Sequence, residues 1–237
     1  MTNITPSKNV THPKIILLDV YETILDMSEI ERKVNLLMKS KRGYVLWFEL
    51  FMQYSFADNC SSSFHDFQSI AEATLRMTSY HFKTEMHNDE VNTILELMKH
   101  LPLKENVQTG LTELYEQQYR IAALTNSPAQ IVINRMERTG LISYFELVIS
   151  AEEVRKYKPA KEVYLWAAKK LQTPPEEILL TSAHGWDIAG AKNAGMQTAY
   201  LSLPNQLLYP LAPQPDYTCS NLTSLAAELL QSCDNKK

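Results

Sequence analysis

The sequence predicts an α/β protein, in which a block of helices is inserted after the first strand of a doubly wound parallel sheet. The run Ile15–Leu18 is apolar without alternation, which is typical of a strand buried on both faces. From Leu103 onward, strand and helix patterns alternate, as a doubly wound sheet requires. Residues 28–102 show helical patterning and little strand signal.

The alternating part of the chain defines five further strands and five helices. The predicted strands are Arg120–Leu124, Leu147–Ser150, Ile178–Thr181, Gln197–Leu201 and one near Asp216–Thr218. The predicted helices are Gly110–Gln118, Ala129–Thr139, Lys161–Leu171, Ile188–Asn193 and Leu222–Leu230. Gly140 and Gly195 each follow a predicted helix, where glycine commonly ends one.

The inserted helices are predicted to begin at a capping box. Ser28 and Glu31 have its spacing, and Gly43 is predicted to end the helix that they open. An aromatic segment follows, and its rings favour a helix-bundle core over a substrate-binding stripe. Two more helices are predicted at Phe64–Tyr80 and Asn88–Met98, after a loop of serines.

A block of this kind is what a cap domain over an active site would look like. The predicted domains are therefore a core of residues 1–27 and 103–237, and a helical cap of residues 28–102.

Composition indicates an ordinary globular protein. The 237 residues are 45% hydrophobic and 21% charged, and the net charge is -4. No basic run suggests nucleic acid, and no apolar run approaches the roughly 18 residues of a membrane span. Met1 to His12 lack the apolar core of a signal peptide, and Cys60, Cys219 and Cys233 lack metal-site spacing. We expect reduced thiols and a cytoplasmic location.

Asp19 directly follows the first strand, where ligands gather in open α/β sheets. A carboxylate there could be a nucleophile, a metal ligand or a helix cap, and taken alone the cap would be the commonest. Three further polar segments with matching chemistry change that balance. They are Thr125-Asn126, Lys158-Pro159 and the stretch Ser182–Asp187.

Together these segments resemble the four motifs of the haloacid dehalogenase superfamily, whose hydrolases use an aspartate nucleophile and have a Rossmann-like core. The first motif reads Asp19-Val20-Tyr21-Glu22-Thr23, and the fourth reads Ser182-Ala183-His184-Gly185-Trp186-Asp187. Each motif alone is weak, but all four occur in the right order. Within the superfamily, the chain is most similar to the L-2-haloacid dehalogenase (type II) branch.

The resemblance implies roles for individual residues. Asp19 would be the nucleophile, Thr23 would orient it, and Lys158 would keep it ionised. Asp187 and Ser182 would orient the hydrolytic water. The implied substrate-binding residues are Tyr21, Thr125, Asn126, Tyr164, His184, Trp186 and Phe48.

Tyr21 indicates the kind of bond that is cleaved. Phosphatases of this superfamily carry a second aspartate at its position, because an alkoxide leaving group needs a general acid. Tyrosine, with an ordinary pKa of about 10, is a poor acid for that task. Halide leaves without a proton, so the resemblance implies cleavage of a carbon–halogen bond in a 2-haloacid.

Three residues depart from the branch pattern: Glu22 replaces a glycine, His184 an asparagine, and Phe48 a cap arginine that meets the halide. A departing anion in a dry pocket needs compensating charge, for which Arg42 or Lys41 would be substitutes. Alternatively, the alignment slips here, or the substrate is not a common haloacid. We therefore expect weak activity on 2-chloropropionate, and higher activity in Phe48→Arg.

Two other functions remain open at this point. One is a magnesium-dependent phosphatase, in which Asp19, Asp187 and the Tyr21 carbonyl would lie near Mg²⁺. The other is a binding protein of the same fold without turnover. The first interpretation predicts no metal or cofactor, a small anionic substrate, and neither nucleic acid nor membrane as partner. The oligomeric state is left open between a monomer and a homodimer.

Overall fold

A computed structural model describes residues 12–203 and 206–234. Its sheet consists of six parallel strands in the order β3-β2-β1-β4-β5-β6, which confirms the predicted doubly wound fold. The strands are β1 (Ile15–Leu18), β2 (Arg120–Thr125), β3 (Leu147–Ser150), β4 (Ile178–Ser182), β5 (Gln197–Leu201) and β6 (Tyr217–Cys219). The amino-terminal segment that is predicted to lack a signal peptide, Met1 to His12, lies outside the described residues except for His12.

Strand β1 lies in the middle of the sheet, between β2 and β4. Leu18, its last residue, pairs with Ala123 on one side and with Thr181 on the other. The strand order reverses at β1, so the carboxyl ends of these three strands border the crevice where open α/β sheets bind ligands. Asp19 is the first residue beyond β1 and stands at that crevice.

Four helices occupy the chain between β1 and the rest of the sheet. They are α1 (Ser28–Leu37), α2 (Gly43–Ser61), α3 (Phe67–Phe82) and α4 (Asn88–Lys99). The chain leaves and re-enters the sheet region side by side. Asp26 N donates to Pro102 O at 2.8 Å, and Lys104 N donates to Ile24 O at 3.0 Å.

Two details of these helices differ from the sequence prediction. The capping box is wrong, because Ser28 already belongs to α1 and its hydroxyl donates to Asp26 at 2.9 Å. Gly43 begins α2 instead of ending α1. A Cβ at Gly43 would lie 2.7 Å from Cβ of Met38, so the close approach of the two helices requires a glycine.

Five more helices flank the sheet: α5 (Val107–Glu116), α6 (Ala129–Arg138), α7 (Lys161–Lys170), α8 (Gly185–Asn193) and α9 (Leu222–Asp234). Helix α8 begins three residues before the predicted Ile188. The carbonyl of His184 accepts hydrogen bonds from the N–H groups of Asp187 and Ile188, both at 3.1 Å. The first turn of α8 therefore contains Trp186 and Asp187, which places both at the crevice.

The aromatic segment of α2 packs mainly as a helix core, as predicted. Trp47 and Phe51 are buried, their rings stack 5.9 Å apart, and Trp47 Nε1 donates to Ala71 O of α3 at 3.1 Å. Cys60 and Cys219 are free thiols, whereas the side chain of Cys233 lies outside the described part. Within residues 12–203 and 206–234, no helix has the length and apolar character needed to cross a membrane.

Candidate active site

The carboxylate of Asp19 is buried and accepts hydrogen bonds on both oxygens. Oδ1 accepts from Lys158 Nζ at 2.6 Å. Oδ2 lies 2.7 Å from the Thr23 hydroxyl, 3.2 Å from the Ser182 hydroxyl and 3.0 Å from His184 Nδ1. Burial would raise the pKa of Asp19, but Lys158 and His184 outweigh it and hold that pKa well below its usual range. Asp19 is therefore an ionised carboxylate.

The hydroxyl protons of Thr23 and Ser182 are directed at Asp19 by backbone groups. Thr23 Oγ1 accepts from Ala183 N at 2.9 Å, and Ser182 Oγ accepts from His184 N at 3.1 Å. Because each oxygen already accepts a backbone N–H, its own proton is free to point at Oδ2 of Asp19. The loop after β4 thus fixes the direction of both donors.

The ammonium group of Lys158 is buried beside Asp19. Its Nζ donates to Asp19 Oδ1, to Asp187 Oδ2 at 2.8 Å and to Leu124 O at 3.2 Å, so three acceptors surround the ammonium group. Burial would lower the pKa of Lys158, but Asp187 and Asp19 raise it. Its backbone N–H donates to Asn126 Oδ1 at 2.8 Å, which ties the second motif to the third.

Asp187 is fully buried behind the lysine. Its Oδ1 accepts from the Tyr164 hydroxyl at 2.6 Å, and its Oδ2 accepts from Lys158. Burial, together with the charge of Asp187, raises the pKa of Tyr164 well above its ordinary value, so Tyr164 is a permanent donor. The two residues hold Lys158 in place against Asp19.

The second motif is divided between the cavity and its support. Asn126 lines the cavity beside Asp19. Thr125 is buried and its hydroxyl pairs with that of Ser127 at 2.8 Å, so it stabilises the turn after β2 and lies behind the cavity wall. Tyr21 lines the cavity too, and burial raises its pKa to about 12 despite a hydrogen bond with Ser127.

The remaining wall of the cavity is apolar and comes largely from the inserted helices. The cavity measures about 30 Å³, which is space for about two water molecules. Its apolar lining consists of Met27, Phe48, Phe51, Met52, Phe67, Met98 and Trp186. The ring of His184 lies between two of these rings, stacked 4.8 Å from Trp186 and 5.9 Å from Phe48.

Glu22 is the functional candidate that sequence reasoning failed to place. Its Oε2 lies 2.9 Å from His184 Nε2, and its Oε1 accepts from the Tyr44 hydroxyl of α2 at 2.8 Å. Glu22 has a φ of 58°, a left-handed conformation that favours glycine, so the usual glycine at this position is explained. The one signal in the sequence was this glutamate in place of glycine.

His184 is an imidazolium between two carboxylates. Burial would lower its pKa, but hydrogen bonds and charge from Asp19 and Glu22 raise the pKa to about 9. Ionised carboxylates accept hydrogen bonds and cannot donate them, so each ring nitrogen must carry a proton to serve its partner. The pKa of Glu22 is lowered in turn, because His184 outweighs the effect of burial.

The predicted substitutes for the cap arginine are in the wrong place. Lys41 and Arg42 are exposed in the turn between α1 and α2. Helix α2 carries Phe48 inward to the cavity, while the turn stays at the surface. The cations that line the cavity are Lys158 and His184.

The two carboxylates considered for a divalent metal ion, Asp19 and Asp187, are joined by an ammonium group. Lys158 Nζ lies between Asp19 Oδ1 and Asp187 Oδ2, the two carboxylates that would have to share the ion. Across residues 12–203 and 206–234, no group of three His, Cys, Asp or Glu side chains is arranged to hold a metal. Lys158 therefore supplies positive charge between the two carboxylates.

Comparisons with known proteins agree with this geometry. A family model described as haloacid dehalogenase-like hydrolase matches residues 16–201. The (S)-2-haloacid dehalogenase of Pseudomonas sp. (strain YL) is 24% identical over 225 residues, which is 94% of this chain and 97% of that protein. The crystal structure of an L-2-haloacid dehalogenase superposes with a TM-score of 0.87 at 21% identity, covering 93% of this chain and all (100%) of the other. That of the Xanthobacter autotrophicus enzyme, with chloropropionic acid covalently bound, superposes with a TM-score of 0.80 at 22% identity and covers 92% and 98%.

A doubly wound sheet with a buried aspartate–lysine pair at the end of its first strand defines a class of hydrolases. The family model covers well over half of the chain, and all four motifs lie within the matched residues 16–201. The protein therefore belongs to the haloacid dehalogenase-like hydrolases.

Proposed function

We propose that the protein hydrolyses the carbon–halogen bond of a small 2-haloalkanoic acid through an ester of Asp19. The observation that carries this proposal is an ionised, buried Asp19 beside Tyr21, whose pKa of about 12 makes it unfit to protonate an alkoxide. Halide needs no proton to leave. The names of the relatives, (S)-2-haloacid dehalogenase and L-2-haloacid dehalogenase, support the same substrate class.

The chemistry begins at Oδ1 of Asp19. Oδ2 already accepts three hydrogen bonds, whereas Oδ1 accepts one from Lys158, so Oδ1 keeps more of its electron density for attack. Oδ1 displaces halide from the α carbon and forms an ester. Water then attacks Cγ of Asp19, the Cγ–Oδ1 bond breaks, and the product alcohol carries Oδ1 away.

Lys158 and Asp187 support both steps. Lys158 keeps Asp19 ionised and compensates the crowded carboxylates. Asp187 holds Lys158, and since a carboxylate oxygen can accept a second hydrogen bond, Asp187 orients the hydrolytic water together with Ser182. Asn126, Tyr21 and Trp186 form the wall against which the substrate lies.

The inserted helices act as the cap of this site. We infer the boundaries 28–102 for the cap and 1–27 with 103–237 for the core. The paired connections at Leu25 and Leu103, which form an antiparallel bridge, support that division. The apolar wall that the helices contribute would exclude water from the substrate, which strengthens electrostatic interactions at Asp19.

The nucleophile is tested by isotope labelling. In heavy-oxygen water under single-turnover conditions, we expect label to enter Asp19 during ester hydrolysis and to reach product only in later cycles. Label in the product of the first turnover would mean that water attacks the substrate directly. Asp19→Asn removes the nucleophile and should abolish turnover, whereas a binding protein of this fold would show no turnover to lose.

The phosphatase alternative is tested by chelation. Because Lys158 lies where a divalent ion would bridge Asp19 and Asp187, we expect activity to survive EDTA. The assay is a panel of 2-chloropropionate, fluoroacetate and phosphate esters, with and without magnesium. Loss of activity with EDTA and its return with magnesium would transfer the assignment to a phosphatase.

Light scattering of the same sample decides between monomer and homodimer.

A further inference from the structure

Two residues that depart from the branch pattern, Glu22 and His184, form a hydrogen-bonded line that starts at the nucleophile. His184 Nδ1 lies 3.0 Å from Asp19 Oδ2, and His184 Nε2 lies 2.9 Å from Glu22 Oε2. Tyr44 OH donates to Glu22 Oε1 at 2.8 Å. Phe48, the third departure, stacks on the imidazole ring. The substitutions therefore form one unit and must be explained together.

His184 is not placed to hold a departing halide. Both of its ring nitrogens face carboxylates, and its two faces are covered by Phe48 and Trp186. The hydrogen-bonding capacity of the ring is thus directed at Asp19 and Glu22. A role for His184 must be found in what happens to Oδ2 of Asp19.

Oδ2 is the oxygen on which negative charge develops when the ester is hydrolysed. Once Oδ1 carries the substrate, Oδ2 is the ester carbonyl oxygen, and attack of water on Cγ moves the carbonyl electron pair onto it. Three donors already surround this atom: the hydroxyls of Thr23 and Ser182, and Nδ1 of His184. Donors fixed in advance around a developing oxyanion are a large source of catalysis.

We propose that His184, held in place by Glu22, is the charged donor of an oxyanion hole at Oδ2 of Asp19, and that it accelerates hydrolysis of the ester. The inference rests on the proposed function, since it concerns the ester of Asp19. Of the three donors, His184 alone carries a positive charge, and charge-assisted hydrogen bonds are about twice as strong as neutral ones. The asparagine of the branch pattern would be neutral here.

The proton balance is complete without a further reactant. The water that attacks Cγ loses two protons, of which one ends on the product hydroxyl and the other is released to solvent alongside the halide. His184 stays protonated throughout and returns to its hydrogen bond with ionised Asp19. Glu22 is a positioning residue, because it touches the imidazole and not the reacting atoms.

The experiment separates the two chemical steps in single turnovers of the full protein with a haloacid that it accepts. Halide release reports ester formation, and intact mass of quenched protein reports ester bound to Asp19. His184→Asn and Glu22→Gln should slow ester hydrolysis about 10- to 100-fold, somewhat less than loss of a complete oxyanion donor. Halide release should change less than about threefold, so both variants should accumulate ester.

A matched control is His65→Asn, which breaks another histidine–carboxylate pair far along the chain. His65 Nδ1 lies 3.1 Å from Asp58, and its side chain is 67% exposed. This variant should keep the rates of both steps. Equal slowing of both steps in His184→Asn and Glu22→Gln would overturn the inference, because a merely structural role moves both.

A pH profile and a resting-state measurement complete the test. Ester hydrolysis should fall above pH 9 in the wild type and at lower pH in Glu22→Gln. The titratable groups that face His184 are Asp19 and Glu22. Their own titratable neighbours are Lys158 and Asp187 on the side of Asp19, and Lys104 and Tyr44 on the side of Glu22. Imidazole NMR should find His184 doubly protonated at pH 8. A neutral ring would overturn the inference alone, whereas absence of any wild-type ester would overturn the proposed function and the inference with it.

Discussion

At the scale of single residues, each cation at the site is shared between two carboxylates. Lys158 lies between Asp19 and Asp187, and His184 lies between Asp19 and Glu22. Both cations are thereby committed to hydrogen bonds with Asp19 and with a second carboxylate. In the proposed reaction, a departing halide would meet an apolar wall instead, and its stabilisation would be correspondingly weaker than an arginine would provide.

This arrangement changes what Phe48→Arg should do. Its guanidinium would lie near the imidazolium of His184, whose ring is 5.9 Å from that of Phe48. Like charges at that distance cost about 1–3 kcal/mol at an intermediate effective dielectric constant. We therefore expect the single variant to be destabilised and no more active on 2-chloropropionate, contrary to the expectation from sequence alone.

The converse variant combines Phe48→Arg with His184→Asn and Glu22→Gly, which restores the branch pattern at all three positions. It removes the repelling charge and relieves the left-handed glutamate. We expect it to release chloride faster than the single variant, as measured by halide assay beside denaturant unfolding. A single variant that equals the triple one would show that the three positions act independently.

Sequence reasoning singled out Asp19, Lys158 and Asp187 because they stand in segments that resemble the superfamily's motifs; Asp19 follows β1, and Asp187 lies in the first turn of α8. It noticed Glu22 and His184 only as departures. Their contact joins residues 162 positions apart and is created by the parallel pairing of β1 and β4. Spacing along a chain carries no information about such a pair until the register of the strands is known.

At the scale of elements, the close packing of helix α8 against Tyr164 and Pro159 depends on one glycine, Gly190. A Cβ on Gly190 would lie 2.6 Å from the Tyr164 hydroxyl and 2.7 Å from Cβ of Pro159. Tyr164 bonds Asp187, and Pro159 follows Lys158. The contact of α8 with Tyr164 and Pro159 therefore reaches Lys158, a partner of Asp19, by two routes: through Asp187 and through the Lys158–Pro159 peptide bond.

Gly190→Ala should lower both stability and activity. Overpacking costs about 1–3 kcal/mol, and the gain in helix propensity of about 1 kcal/mol offsets only part of it. The matched control is Gly110→Ala on α5, where a Cβ would clash with Cβ of Leu222. We expect both variants to unfold at a lower denaturant concentration than the wild type. Only Gly190→Ala should lose turnover, measured at about 20 °C. Equal turnover in the two would disprove the link from α8 to Asp19.

The strands were predictable because parallel strands are continuous apolar runs, and β1, β3 and β5 begin and end where their patterns do. Helix boundaries were harder. The start of α8 was missed because Gly185 and Trp186 interrupt its apolar periodicity, although they form its first turn. The role of Gly43 was missed because a glycine that ends a helix and one that admits a neighbouring helix look alike in sequence.

At the scale of the whole molecule, the inserted helices are hydrogen-bonded to the segment between β3 and Lys158. Asn59 of α2 accepts from Tyr157 N at 2.9 Å and donates to Tyr157 O at 2.7 Å. Phe67 N at the start of α3 donates to Glu152 at 2.8 Å. Tyr157 immediately precedes Lys158, so the position of the helices and the position of the lysine depend on each other.

The buried imidazolium should also make the stability of the protein depend on pH. The pKa of His184 is raised from 6.5 to about 9 in the folded state, so the folded state binds this proton more tightly than the unfolded chain does. The resulting stabilisation is fully present below about pH 6.5 and is lost as the pH rises through 9. At about 1.4 kcal/mol per pKa unit, the full loss is on the order of 3–4 kcal/mol.

The measurement is urea unfolding at intervals from pH 6.5 to 9, for the wild type and for His184→Asn. The free energy of unfolding of the wild type should fall with pH, and that of the variant should fall less by the amount due to His184. Taking the difference between the two curves cancels the contributions of the titratable groups that both proteins share. The measurements stop at pH 9 to avoid a contribution from the thiol of Cys219. Burial raises the pKa of that thiol to about 12 in the folded state. Parallel curves for the two proteins would mean that His184 is neutral in the folded state. Its two ring nitrogens would then not both donate hydrogen bonds to Asp19 and Glu22.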